Sequence, residues 1–249
     1  MAFGALIIGD EILSGKRQDK HFARAIEILA ARGRELAWAE YAGDDPARIT
    51  ATLRRTLAAT DIVFSFGGIG ATPDDHTRQC AAAALGRALA VHPDGMKELE
   101  ARFGSDINER RIRMIEFPEG AAIVPNPYNR IPGFSVNDHH FLPGFPEMAW
   151  PMMEWVLDTK YRALHRADRP VEEAILVRAG ESMLIDIMNA VVRDYPELKL
   201  ASLPQNVPGG YLVELSVRGD PARVPVAMGY VRAEVAKLGY PFDERPPRK

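Results

Sequence analysis

Three short runs, Phe3 to Ile8, Leu36 to Tyr41 and Asp61 to Phe66, constrain this chain more than any other feature. The first is continuously apolar, the pattern of a strand buried on both faces of a parallel sheet, and the third reads as another buried strand. Each run is followed by a helical pattern. Asp19 to Ala31 sets Phe22, Ile26 and Leu29 on one face, with Asp19 to cap its start and Gly33 just past its end. Asp45 to Ala59 opens on an Asp-Pro pair suited to the N-cap and first helical position, and carries Ile49, Leu53 and Leu57 at helical spacing. An alanine-rich helix from about Asp75 to Leu85 follows the third run. Strand and helix alternating in this way predict an α/β, three-layer αβα domain with a mostly parallel sheet.

Further along, Met96 to Phe103 reads as a helix. Pro118 to Pro146 reads as a meander rich in proline, glycine and asparagine, with short strands at Ala121 to Val124 and His140 to Leu142. Met148 to Leu164 returns to helix with Trp150, Met153 and Leu157 on an apolar face and Pro151 in its first turn. The polar stretch His165 to Pro170 is the best boundary, giving a first domain over 1–166. Strands at Glu173 to Arg178, Leu198 to Leu203 and Tyr211 to Arg218, with helices at Ser182 to Arg193 and Pro221 to Leu238, then form a small α+β domain over 170–240. Residues 241–249 read as a frayed tail.

Composition narrows the function classes. Lys and Arg total 31 against 34 Asp and Glu, a formal charge of -3, so no general field draws in nucleic acid or an anionic membrane. Any anionic ligand must be held locally. No stretch approaches the roughly 18 apolar residues that span a bilayer. The opening MAFGALIIGDEILSG lacks a basic n-region and is not expected to be a signal peptide. The single cysteine, Cys80, excludes an internal disulfide framework and reads as a small buried residue. A cytoplasmic homo-oligomer is expected, the small second domain being one surface available for pairing.

The sharpest chemical signal is Gly67 to Thr77, GGIGATPDDHT, between the third strand and its helix. Glycines there let backbone N–H groups approach a phosphate, and the helix N-terminus adds its positive end. The loop has neither the Walker GxxxxGK[ST] nor the Rossmann GxGxxG pattern. Two adjacent carboxylates, Asp74 and Asp75, would repel a phosphate unless a cation intervenes, and oxygen ligands of this kind suit Mg²⁺ or another divalent metal. The plainer alternative is a helix start, with Thr72 as N-cap, Pro73 first and an acid third. His76 reads as a solvated or capping residue rather than a base. His139 and His140 fall on opposite faces of a strand and make a poor metal pair.

GDEILSG (Gly9 to Gly15), Gly43 to Asp45, the glycine loop and Pro143 to Pro146 together resemble the N-terminal domain of the competence/damage-inducible protein A-like family. That family shares its fold with molybdopterin-binding MoaB/Mog-like proteins. The resemblance covers about residues 4 to 160, and residues 170 to 240 resemble the family's small middle domain. The family's C-terminal amidohydrolase domain lies outside these residues, so nicotinamide-nucleotide deamidation is not expected. The resemblance implies that Gly67, Gly68 and Gly70 cradle phosphate, with Thr72 at the ligand and Thr77 supporting the turn. It implies that Asp75 holds a divalent metal with Asp74 beside it, and that Asp45 is a second catalytic or metal-binding acid, compatible with its capping role. Asp10 and Glu11 reach the ligand or form a solvated turn; Gly144 and Pro146 shape the pocket wall or make a plain turn.

Three functions follow from the resemblance: metal-dependent hydrolysis of an ADP-ribose-like pyrophosphate, adenylylation of molybdopterin, or nucleotide or pterin binding without turnover. Departures from the family pattern leave the ligand open. Lys20 and His21 stand where Thr-Asn is usual, Asn129-Arg130-Ile131 where Gly-Thr-Ala is usual, and Ala71 where proline is usual. The Pro143 to Met148 motif is one residue short, so Glu147 does not map onto the family glutamate. Lys20 and Arg130 are candidates for binding a further phosphate.

Overall fold

Every residue of strand β1 (Phe3–Ile8) is buried, which places it inside a sheet covered on both sides. In the computed structural model, which describes residues 2–167, 170–208 and 210–245, β1 is followed by a short helix α1 (Asp10–Leu13), α2 (His21–Ala30), β2 (Leu36–Ala42), α3 (Pro46–Leu57), β3 (Ile62–Phe66) and α4 (Thr77–Leu85). Next come β4 (Leu89–Val91), α5 (Pro93–Phe103), α6 (Glu109–Arg113), β5 (Glu116–Pro118), β6 (Ala122–Val124), β7 (Gly133–Val136), β8 (His139–Leu142) and α7 (Pro146–Lys160). The main sheet runs β2-β1-β3-β8-β7-β6; its first four strands are parallel, and β7 and β6 add antiparallel. The expected three-layer, mostly parallel fold is what forms.

The alternation of side chains builds two cores. Phe3, Ala5, Ile7, Ile62, Phe64 and Phe66 pack against Ala25, Ile28 and Leu29 of α2 and Met152, Met153 and Val156 of α7. Leu6, Ile8 and Val63 pack on the other face against Ile49 and Leu53 of α3 and Cys80 and Ala81 of α4. Two details of the helices differ from expectation. The buried stripe of α2 is His21, Ala25, Ile28 and Leu29, leaving Phe22 40% and Ile26 38% exposed. The stripe is rotated because the His21 ring, stacked on Phe66 at 4.6 Å, takes the inner position. Helix α7 begins two residues early with Pro146 in its first turn, so Pro151 lies inside the helix.

Contacts divide the chain into two compact units, Met1–His165 and Arg166–Lys249. The second contains β9 (Val171–Val177), α8 (Ile185–Asp194), β10 (Lys199–Val207), β11 (Gly210–Gly219), α9 (Val224–Lys237) and β12 (Phe242–Arg245). Its antiparallel sheet, β10-β11-β9-β12, packs Ile175, Val177, Val213, Leu215 and Val217 against Val191 of α8 and Met228, Val231 and Val235 of α9. Residues 242–245, expected to be frayed, form a strand paired with β9. Backbone pairing and ion pairs hold it without an apolar pattern: Arg232 binds Glu244 at 2.7 Å, and Arg245 binds Glu214. Residues 246–249 of the expected tail lie outside the described residues.

Candidate functional site

Four parallel strands end along one edge, and the loops leaving them wall a cavity of about 440 Å³. Ile8, Gly9 and Glu11 come from the end of β1, Asp44 follows β2, Gly67 to Asp75 follow β3, and Pro143 to Phe145 follow β8. The chain moves from β1 to β2 on one side and returns to β3 on the other, so strand order reverses between β1 and β3. The crevice outside the carboxyl ends at such a reversal is where open α/β sheets bind ligands.

The glycine loop is fixed by close contacts. Gly67 and Gly68 have φ of 104° and 68°, a region costly for other residues. A Cβ on Gly67 would lie 2.2 Å from the carbonyl oxygen of Ile8, and one on Gly68 would lie 2.2 Å from Thr77 Oγ1. Thr77, fully buried, donates its hydroxyl to the Gly67 carbonyl at 3.0 Å and its N–H to the Gly68 carbonyl at 2.9 Å. The N–H groups of Gly68, Ile69, Gly70 and Ala71 find no acceptor among the described residues. Beneath the loop, the Arg78 guanidinium, 2% exposed, donates to the carbonyls of Gly70 at 2.6 Å, Glu116 at 3.3 Å and Arg113. Burial lowers the Arg78 pKa from its ordinary value, opposed by Glu116 and Asp75.

The alternative of a helix start at Thr72 does not form. Thr72 to Asp75 make a turn in which the Asp75 carboxylate accepts from both the N–H and the hydroxyl of Thr72, and α4 begins at Thr77. His76 stands at the N-cap position of α4 without a side-chain cap bond. Glu11, Asp44, Asp74 and Asp75 all line the cavity. Asp45 caps α3, its carboxylate accepting from Arg48 N at 2.7 Å, and Asp44 takes the place on the cavity wall. Asp10 is tied to Asp44 by reciprocal bonds: each carboxylate accepts the other residue's backbone N–H, at 2.8 and 3.1 Å. Desolvation raises the Asp44 pKa, with Asp10, Glu11 and Asp74 adding repulsion.

Met114, Ile131, Pro132, Phe145 and Met148 add apolar side chains to the same lining, and Asn126 and Asn129 add amides. Arg130, between Asn129 and Ile131, has a left-handed φ of 62° and is paired with Glu98 at 2.9 Å. A second cavity of about 210 Å³ shares Ile8, Glu11, Arg17 and Gly144 with the first, and Pro146, Lys20 and His21 line it. Asp44 and Arg78 are the site residues that sequence reading misses. Pro46 already committed Asp45 to capping, which left its neighbour free; an arginine among alanines on the buried face of α4 was the signal for the other.

Residues 4–163 match the family described as a probable molybdopterin binding domain. A protein of Archaeoglobus fulgidus is 29% identical over 218 residues, covering 88% of this chain and 91% of that one. A CinA-like protein of Gemmatimonas aurantiaca is 30% identical over 211 residues, covering 80% of this chain; the match spans 49% of that longer relative. Among solved structures, the CinA protein of Thermoplasma acidophilum superimposes with a TM-score of 0.58 at 25% identity, over 64% of this chain and 98% of that one. With the parallel sheet, the reversal in strand order and the glycine loop already in place, these matches show that the chain belongs to the molybdopterin-binding-domain family and has CinA-like proteins among its homologues.

Proposed function

We propose that this edge binds the phosphate of a nucleotide or pterin together with a divalent cation, and that the protein hydrolyses the pyrophosphate of an ADP-ribose-like dinucleotide. The observation that carries the reading is that one cavity is lined both by the glycine loop, four of whose N–H groups have no acceptor among the described residues, and by four carboxylates, with a buried guanidinium beneath the loop. The donors favour an anion and the carboxylates repel it, and a cation between them reconciles the two. No three acidic, histidine or cysteine side chains among the described residues converge as a complete metal site. This donor set fits a hard cation that takes its other ligands from phosphate oxygens and water. Asp74 and Asp75 are the residues that would hold it, and it would supply Lewis-acid polarisation of a phosphoryl oxygen.

The remaining roles belong to the chain. The loop N–H groups orient the phosphoryl oxygens, and the apolar side chains of Met114, Ile131 and Met148 suit a heteroaromatic ring. We assign Asp44 to accept the proton of the attacking water, because it lines the same cavity and its desolvation, with repulsion from Asp10, Glu11 and Asp74, raises its affinity for a proton. Water adds to phosphorus, the bridging P–O bond breaks, and the departing phosphate carries the electron pair. Purified protein with Mg²⁺ or Co²⁺ should release AMP from ADP-ribose, and Asp44→Asn should lower kcat by about 100-fold with the fold retained. Absence of AMP release with every divalent metal tried would overturn the hydrolytic reading. Adenylylation of a pterin is the second reading, favoured by the family's description as a probable molybdopterin binding domain; its test is formation of an adenylylated pterin from ATP.

A further inference from the structure

Arg17 stands at the junction of the two cavities and lines both. The chain brings it there by local means. Gly15, at a left-handed φ of 71°, turns the backbone after α1, and the Arg17 N–H then closes on the Glu11 carbonyl at 2.8 Å. The backbone is fixed, and the guanidinium is not. It lies 3.9 Å from the Glu11 carboxylate and 5.5 Å from the centroid of the Phe145 ring, on a side chain that is 49% exposed. None of its N–H donors makes a hydrogen bond among the described residues. Glu11 and Phe145 both line the larger cavity, so a guanidinium beside the two of them lies on its wall.

Arg17 is the one cation lining that cavity, against Glu11, Asp44, Asp74 and Asp75. The two cations expected from the sequence to bind a further phosphate are placed otherwise: Lys20 lines only the smaller cavity, and Arg130 is paired with Glu98. Arg17 also lies outside GDEILSG and the other runs that carry the family resemblance. An exposed ion pair as long as the one to Glu11 contributes little, so the guanidinium can leave it for a stronger partner. A phosphate is such a partner, because two of its oxygens match the planar fork of an arginine.

We infer that Arg17 is a specificity-determining residue, which moves from Glu11 to grip the second phosphoryl group of a ligand whose first lies at the glycine loop, so that the site selects nucleoside diphosphates and their esters over monophosphates. The inference rests on the nucleotide reading above and adds to it the side chain that counts phosphates. The loop N–H groups meet one phosphoryl group whichever ligand is bound; Arg17 acts only where a second follows it.

Calorimetry with ADP and with AMP in the presence of Mg²⁺, on wild type, Arg17→Gln and Arg17→Lys, tests it. Loss of the guanidinium should weaken ADP binding about thirtyfold, the size of a charge-assisted contact, and leave AMP binding within about twofold. Lysine keeps the charge without the fork, so Arg17→Lys should recover part of the ADP affinity. Nitrogen NMR of the wild-type Arg17 Nε–H supplies a second readout that does not depend on a variant folding. Its resonance should move with ADP and stay in place with AMP. Equal losses for the two ligands, no loss for either, or a resonance that moves equally with both would overturn the role of Arg17 alone. Failure of the wild type to bind either nucleotide, with or without Mg²⁺, would overturn the nucleotide reading and this inference together.

Discussion

The carboxyl edge of the sheet and the buried chain from Ser135 through His140 and Tyr161 to Asp138 hold much the same kinds of polar residue and treat them in opposite ways. In the core, Tyr161 donates its hydroxyl to Asp138 at 2.7 Å, so His140 Nε2–H donates to Tyr161 at 2.8 Å and its Nδ1 accepts from the Ser135 hydroxyl at 2.7 Å. On the other face, His139 bonds Thr56 at 3.0 Å. Burial keeps both histidines neutral by lowering their pKa. At the edge, the loop N–H groups, Arg78 Nε and His21 Nδ1 lack partners, and Asp44 is crowded by acids. Buried polar groups are normally paired, so an unpaired cluster marks a place that awaits a ligand, whereas a closed chain of bonds marks packing.

Three changes test that contrast. Arg78→Met, which strands the carbonyls of Gly70, Arg113 and Glu116, should cost about 4 kcal/mol in denaturant unfolding, at roughly 1–3 kcal/mol per stranded buried group. It should also weaken nucleotide binding, because the loop loses its brace; full affinity in the variant would mean that the loop holds its shape unaided.

The core histidines should appear in the pH dependence of stability. Burial pushes His139 down to about 4 from 6.5, so the unfolded chain takes up its proton first as pH falls. Stability from this residue is complete above about pH 6.5 and is lost on descending to about pH 4, a decline of about 3 kcal/mol. Unfolding curves across that window should be shallower in pH for His139→Gln; an unchanged slope would show that His139 is already solvated. The smallest effect belongs to Tyr161→Phe, expected to cost about 1.5 kcal/mol by breaking the bond to Asp138 while ligand affinity stays the same. A loss of affinity there would tie the closed core to the open edge and dissolve the distinction.

Much of this was legible beforehand, for local reasons. The buried runs at Phe3 to Ile8 and Asp61 to Phe66 could only be inner strands, Asp-Pro at 45–46 could only begin a helix well, and glycines 67 and 68 occupy a backbone that other residues resist. Strand β12 was not legible, since Asp243, Glu244 and Arg245 carry no apolar alternation and are held by backbone pairing to β9. The inner face of α2 was misjudged because hydrophobicity favoured Phe22 over His21. Stacking on Phe66 and a bond to Gly144, 123 residues away, reversed that order.

What the sequence determined by itself was the alternation of strand and helix, and with it the edge on which the glycine loop must open. Periodicity and turn chemistry act over a few residues and need no partner. The tertiary structure decided which acid meets the cavity, Asp44 rather than Asp45, that Arg78 lies beneath the loop, and that His21 keeps an unpaired nitrogen beside it. Those outcomes depend on which hydrogen-bond partners remain after distant segments pack, and no local pattern encodes that remainder.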